Sequence, residues 1–426
     1  MRRLSLLLLA LALLAHVDGR GAELDAAAPP RYLVLAGATV YTAPGEPPIR
    51  DGVVLVGDGR IASVGTRGAI EIPNGADVLN CTGATVTAGF WNSHVHFIER
   101  KWAKAATIPA AELEEQLEAM LTRYGFTSVF DTGSMLENTL AIRERIESGD
   151  VAGPRIRSTG EVLYPPRGVP APLILDIKGF MRVELPEIEG EEDARAAARK
   201  VLDGGADAVK LYAATWAPPI VALSEEAIRG AVAEAAERGK PVFAHPSNRD
   251  GLLAAVRGGV DVLVHTTPQS GRWDGAILRA MTEADVALIP TLKLWTYELR
   301  HDRLSRRESF TAVGIGQLRE WVATGGLVLF GTDVGYMSDY DPSDEYALMA
   351  EAGMTFAQIL ASLTTAPARR FGDPDRLGRV APGLVADLVV LEGDPAENVR
   401  KLADVRYTLR DGKVIYTRGS GAGEAH

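Results

Sequence analysis

Between about residues 86 and 332 the chain repeats one pattern, a short apolar run rich in β-branched residues followed by a longer amphipathic stretch. Short continuous apolar runs are the mark of strands buried on both faces, and apolar positions recurring every three or four residues mark one face of a helix. Eight strand candidates fall near residues 86–92, 128–131, 155–159, 208–211, 242–245, 262–265, 287–290 and 328–332. The stretch from Ser224 to Gly239, with Gly239 as a C-cap, typifies the helical segments between them. Eight such units over about 280 residues suit the size of a (β/α)8 barrel, whose active sites gather at the C-terminal ends of its strands. A doubly wound open sheet arises from the same alternation, but no Gly-x-Gly-x-x-Gly opens a helix here.

The flanks read differently. Residues 31–85 show short Val/Ile/Leu alternation broken by turns at Gly57-Asp58-Gly59 and Pro73-Asn74-Gly75, and the same signals return at 403–418 around Asp411-Gly412. Together they predict a small β-sandwich built from both chain ends, residues 31–85 and 375–420, beside a barrel over 86–374. Two separate small subdomains are the alternative. Apolar helices at 355–370 link the barrel to the returning strands.

Chemistry enters at the strand ends. Of seven histidines, five remain once His16 in the leader and the terminal His426 are set aside, and four of the five occupy such ends. His94 and His96 form a His-x-His after the run Ala84-Thr85-Val86-Thr87-Ala88; in an extended strand residues i and i+2 share a face, so both rings can meet one cation. Lys210, His245, His265 and Asp333 each terminate a later apolar run. Each alone has an ordinary reading: a histidine bonded to backbone, a lysine reaching out from a strand end, an aspartate capping a turn. Their shared placement favours a metal site over all of these.

These motifs carry a resemblance. The stretch Ala88-Gly89-Phe90-Trp91-Asn92-Ser93-His94-Val95-His96, the later Gly331-Thr332-Asp333, and the return Gly378-Arg379-Val380-Ala381-Pro382-Gly383 through Leu391 resemble the amidohydrolase superfamily over nearly the whole mature length, closest to its imidazolonepropionase-like and prolidase-like members. The resemblance implies a metal-dependent hydrolase that cleaves a carbon–nitrogen bond of a small-molecule amide, such as a dipeptide or an N-acyl amino acid. It implies two divalent ions, zinc by default: one on His94, His96 and Asp333, a second on His245 and His265, and carboxylated Lys210 shared between them. It further implies that Asp333 is the general base and then the acid. An unmodified ammonium beside two dications would be repelled, which argues for the modified lysine.

Three readings stay open at this level: the two-metal amide hydrolase, a mononuclear deaminase or cyclic-amide hydrolase with a structural Lys210, and a non-catalytic scaffold on the same fold. For the substrate, Arg167 in Tyr164-Pro165-Pro166-Arg167-Gly168 is the candidate anchor for a carboxylate, with Tyr212 a further contact. Aromatics in Trp216-Ala217-Pro218-Pro219 and Lys293-Leu294-Trp295 are candidate pocket walls. Pro246 restricts His245 toward extended backbone, and Pro268 stiffens the loop after His265.

Composition narrows the class. A length of 426 residues, 46% hydrophobic and 24% charged, supports a large folded core, and a net charge of −11 disfavours nucleic acid as a partner. Met1-Arg2-Arg3 before the apolar run Leu4–Leu14 reads as a secretory signal peptide over residues 1–22, although no clean Ala-x-Ala marks a cleavage site. The expectation is a periplasmic or secreted enzyme with no stable membrane span after cleavage, with homo-oligomerisation left open. The single cysteine, Cys81, allows no intrachain disulfide and reads as a small buried hydrophobe.

Overall fold

The computed structural model describes residues 32–169, 185–215 and 220–419. The expected signal segment and the stretch Trp216-Ala217-Pro218-Pro219 lie outside the described residues.

Five strands precede the barrel: β1 (Tyr32–Val40), β2 (Ile49–Gly57), β3 (Arg60–Thr66), β4 (Asp77–Asn80) and β5 (Ala84–Ala88). Eight follow with helices between most of them: β6 (Phe90–Val95), β7 (Phe126–Asp131), β8 (Arg155–Ser158), β9 (Val209–Tyr212), β10 (Val242–His245), β11 (Val262–Val264), β12 (Ala287–Ile289) and β13 (Leu327–Val328). The last three, β14 (Leu388–Glu392), β15 (Val405–Arg410) and β16 (Lys413–Thr417), return to the first group.

Both chain ends meet in one eight-stranded sheet in the order β16-β15-β14-β5-β1-β2-β3, with β4 also paired to β1. The sheet forks along β1, where Leu33–Ala36 pair with β4 and Thr39–Val40 pair with β5, and Gly37 at φ 87° makes the bend between them. The hairpins sit where the turn residues predict. Asp58 and Gly59 (φ 51° and 74°) and Asp411 and Gly412 (φ 50° and 74°) supply the consecutive left-handed residues of a type I′ turn. Cys81 is fully buried in the core this sheet encloses, among Leu35, Val54, Val86 and Leu388.

The first barrel strand is shifted relative to expectation. The range 86–92 straddles two strands: β5 pairs antiparallel with β14 in the outer sheet, whereas β6 pairs parallel with β7. The switch falls at Gly89, whose amide donates to Asp387 O (2.7 Å) and where a Cβ would lie 2.2 Å from Thr127 Oγ1. A side chain there would force the two sheets apart.

Strands β6–β8 and β9–β13 form two parallel sheets, and backbone bonds join them at both seams. Asp207 N donates to Ser158 O (2.7 Å), and Leu163 and Lys210 extend that seam through Leu163 N to Lys210 O (2.9 Å). On the far side Ser93 N donates to Phe330 O (2.7 Å) and His96 N to Val334 O (2.8 Å). Eight parallel strands thus close on themselves, which is the expected (β/α)8 barrel. The expected helix at 224–239 spans Glu225–Ala236, capped by the Ser224 side chain on Ala227 N, with Gly239 at φ 62° beyond it. The segment 355–370 is two helices, Phe356–Leu363 and Thr365–Arg370, broken at Thr364 (φ −132°, ψ −81°).

Candidate metal centre

Strand β6 and the chain after β13 are sewn together residue by residue, and this brings three side chains to one point. The amide of Asp333 donates to His94 O (2.9 Å), and the Asn92 side chain clamps Thr332, donating to its Oγ1 (2.7 Å) and accepting from its amide (3.2 Å). Two glycines permit the close approach. A Cβ on Gly335 would lie 1.8 Å from His96 O, and one on Gly331 would lie 2.8 Å from His94 Cβ. As a result Asp333 Oδ1 stands 3.2 Å from His94 Nε2 and 3.0 Å from His96 Nε2, with Asp333 Oδ2 4.0 Å from His265 Nε2.

Each ring is also held from behind. His96 Nδ1 donates to Gly133 O (3.0 Å), His265 Nδ1 is hydrogen-bonded to Thr291 Oγ1 (2.6 Å), and His94 Nδ1 to Thr132 Oγ1. Because a carbonyl only accepts, Nδ1 of His96 carries a proton, and Nε2 is the ring nitrogen that faces Asp333. His94 Nε2 is buried and, among the described residues, has no hydrogen-bond partner. Edge contacts chain the rings together, His94 with His265 at 4.9 Å between centroids and His265 with His245 at 4.5 Å, and His245 stacks on Tyr212 at 4.2 Å.

Burial keeps the imidazoles of His94, His245 and His265 neutral. It pushes His94 down to about 3 and His245 and His265 well below the usual histidine range, with the nearby Lys210 adding to the shift. Lys210, buried beside them, is lowered by that burial to about 7, Asp333 opposing it. For Asp333 burial works to raise the carboxyl, but His94, His96 and His265 outweigh it and hold it well below the usual carboxylate range. Two imidazole Nε2 atoms stand about 3 Å from one buried carboxylate oxygen, which groups three donors of the kind that hold a metal ion. His94, His96 and Asp333 fit a metal ion in donor type and placement.

All six expected ligand positions, His94, His96, Lys210, His245, His265 and Asp333, line one cavity of about 980 Å³, its open mouth included. Tyr164, Tyr212, Leu294 and Trp295 line it as well. Arg167 does not. It is exposed, at φ 60° in a tight turn closed by Gly168 N on Pro165 O (2.8 Å), and this turn carries its side chain off the cavity wall. Lys293 likewise faces elsewhere, its Nζ 2.6 Å from Asp341 O and 2.9 Å from Asp339.

Residues the sequence reading passed over are Thr132 and Thr291, which set two histidine rings, and Ser247, Glu298 and Tyr336 in the wall. Thr132 and Thr291 follow strand ends just as the ligands do, so the same rule could have marked them. Ser247, His265, Thr291 and Asp333 all have positive φ (53°, 74°, 43° and 64°). Strain of about 1 kcal/mol or more for each such residue, gathered at one mouth, is the pattern of a preorganised site.

Residues 85–421 match the model of the Amidohydrolase family. Among curated proteins the chain is similar to ochratoxinase of Aspergillus niger, 24% identical over 420 residues that cover 88% of this chain and 85% of that one. Among solved structures it resembles a Xaa-Pro dipeptidase with bound methionine in its active site, at a TM-score of 0.77 and 22% identity over 91% of this chain and all of that one. It also resembles a prolidase complexed with N-methylphosphonate-L-proline, at a TM-score of 0.74 and 26% identity over 91% of this chain and all of that one. With the barrel, the strand-end ligand set and a family match across most of its length, the chain belongs to the amidohydrolase family and is a hydrolase of carbon–nitrogen bonds.

Proposed function

We propose that this amidohydrolase holds two divalent ions, zinc by default, and hydrolyses the amide of a dipeptide or an N-acyl amino acid. The observation that carries the two-ion reading is Lys210. Its side chain is buried in the same cavity as both ligand groups, and among the described residues it has neither an ion pair nor a hydrogen bond on Nζ. Burial leaves much of this amine neutral near pH 7. A neutral amine can attack carbon dioxide, forming the N–C bond of a carbamate as the proton leaves to solvent. The lysine thereby becomes an anionic ligand and the charge conflict with the cations disappears.

His94, His96 and Asp333 would hold one ion, His245 and His265 the other, with modified Lys210 between them. Bound there, divalent ions lower the pKa of water and polarise a carbonyl. The chain's own part in the proton transfer falls to Asp333, which accepts the proton of the attacking water and delivers it to the leaving nitrogen. His245, stacked on Tyr212, and His265, tied to Thr291, are kept from turning away. The likeness to a prolidase complexed with a phosphonate-proline compound supports an amide as the bond attacked.

Two measurements test this reading: metal content of the purified protein by mass spectrometry, and turnover on a panel of dipeptides, N-acyl amino acids and cyclic amides. Two ions per chain and cleavage of open-chain amides are expected. A single ion with deaminase or ring-opening activity would replace the reading. The leader Met1–Leu14 supports export to the periplasm or beyond, checked by cell fractionation and N-terminal sequencing of the mature protein.

A further inference from the structure

Away from the six ligand positions, the cavity is walled by apolar and aromatic side chains, among them Ile98, Val162, Tyr164, Leu294 and Trp295. Charge is scarce there. Among the described lining residues, Glu298 is the only carboxylate outside the ligand set, and no arginine is present. Glu298 ends the helix Leu292–Glu298 that follows β12, so the barrel wall, not a free loop, carries it.

Its partner comes from the segment after β13. Tyr336, three residues after Asp333, donates its hydroxyl to Glu298 Oε1 (2.7 Å) and lines the same cavity. Among the described residues Glu298 forms no ion pair, and its Oε2 takes no hydrogen bond. Tyr336 thus fixes one oxygen and leaves the other free for a ligand. Burial raises the Glu298 carboxyl and Asp333 adds to this, while the Tyr336 hydrogen bond and the charge of Arg300, which does not line the cavity, oppose it without cancelling it. A carboxylate whose ionised form is disfavoured by its surroundings gains most from a cation that enters beside it.

From this arrangement we infer that Glu298, positioned by Tyr336, selects amide substrates that carry a protonated amine beside an apolar or aromatic group. The inference rests on the amide-hydrolase reading above and adds the substrate's charge. A substrate carboxylate brought to this part of the wall would meet a like charge, and the exposed Arg167 does not line the cavity to offset it. A charge-assisted hydrogen bond is worth roughly ten- to a hundred-fold in binding.

The test compares 2-phenylethylamine, cationic at pH 7, with its neutral counterpart 2-phenylethanol by calorimetry, using the zinc-loaded full chain and the variants Glu298→Gln and Tyr336→Phe. The amine should bind the wild type at least about ten-fold tighter than the alcohol. In Glu298→Gln that preference should vanish, and in Tyr336→Phe it should shrink. Any direct coordination of the amine by metal is common to all three proteins and cancels in the comparison. An amine-to-alcohol ratio unchanged in Glu298→Gln overturns the inference. A kinetic arm measures kcat/KM for three matched amides: one with a free α-amine, its N-acetyl form, and an N-acetyl amide with a lysine side chain. Preference for the first places the cation at the α-amine, and preference for the third places it on the side chain. Loss of either preference in Glu298→Gln supports the inference, and a preference unaltered by Glu298→Gln overturns it. Should the wild type cleave no amide while Glu298 still governs amine binding, the catalytic reading fails and the cation site stands.

Discussion

Thr291 and His265 are joined by a 2.6 Å hydrogen bond between Oγ1 and Nδ1, and both hold a left-handed backbone, at φ 43° and 74°. Neither is glycine, so the fold tolerates strain at both ends of a bond whose effect is to aim the opposite ring nitrogen at Asp333. Hydrogen bonds behind a metal-binding histidine typically change metal affinity about 10–100-fold.

Thr291→Val preserves the β-branched shape and removes this bond. Zinc affinity is expected to fall by about 10–100-fold, with a smaller change in the stability of the metal-free protein. Competition with a chromogenic chelator measures the first and denaturant unfolding the second. Wild-type affinity in this variant would show that packing alone orients His265.

Lys210→Ala removes the one amine in the ligand group. The variant is expected to lose the paired ions and turnover together, and addition of a short carboxylic acid, acting as a replacement anion, should restore part of each. Metal analysis beside activity reads this out. Two tightly held ions with normal turnover in Lys210→Ala would exclude the bridging role.

Asp333→Asn keeps the size of the side chain and most of the metal but cannot carry a proton. General acid–base catalysis contributes about 10²–10⁴ in rate, and a loss at least that large is expected in kcat at neutral pH. Near-normal turnover would remove Asp333 from the proton path.

The buried histidines give the metal-free protein a defined pH dependence. His94, held at about 3, and His245 and His265, held well below the usual range, stay neutral in the folded state, whereas the unfolded chain protonates them below about 6.5. The unfolded state then binds more protons, so their contribution makes stability rise with pH up to about 6.5 and fall away in acid, by at most about 1.4 kcal/mol per pH unit for each group. Glu345, raised by burial to about 7, works in the opposite sense, since it keeps its proton in the folded state over a range where the unfolded chain has lost it. Glu345→Gln should therefore steepen the acid loss. Unfolding midpoints of chelator-treated protein from pH 5 to 8 measure both slopes. A flat profile in the wild type together with an unchanged slope in Glu345→Gln would contradict this assignment of charge.

Much of this protein is legible from local pattern alone. Parallel barrel strands are buried on both faces, so they read as continuous apolar runs, and their C-terminal ends are where the topology gathers side chains from distant segments. For that reason His94, His96, Lys210, His245, His265 and Asp333 could be listed from strand ends, and the turns at Asp58-Gly59 and Asp411-Gly412 from the backbone angles those residues tolerate.

Other features depend on contacts between segments far apart in the chain, which periodicity does not encode. The break at Gly89 exists because Thr127 packs against it, so the apolar run that looks like one strand serves two sheets. Thr132 and Thr291 matter only once the rings of His94 and His265 stand in front of them. Arg167 looks suited to anchoring a carboxylate until the Pro165–Gly168 turn carries it off the wall, while Glu298, undistinguished at the end of a helix, meets Tyr336 from the segment after the neighbouring strand β13. The sequence determined which residues sit at the ends of strands, because hydrophobic burial and turn chemistry act locally. Which side chains face the same few ångströms of cavity was decided by barrel closure between β6 and the segment after β13, a contact between residues more than two hundred positions apart.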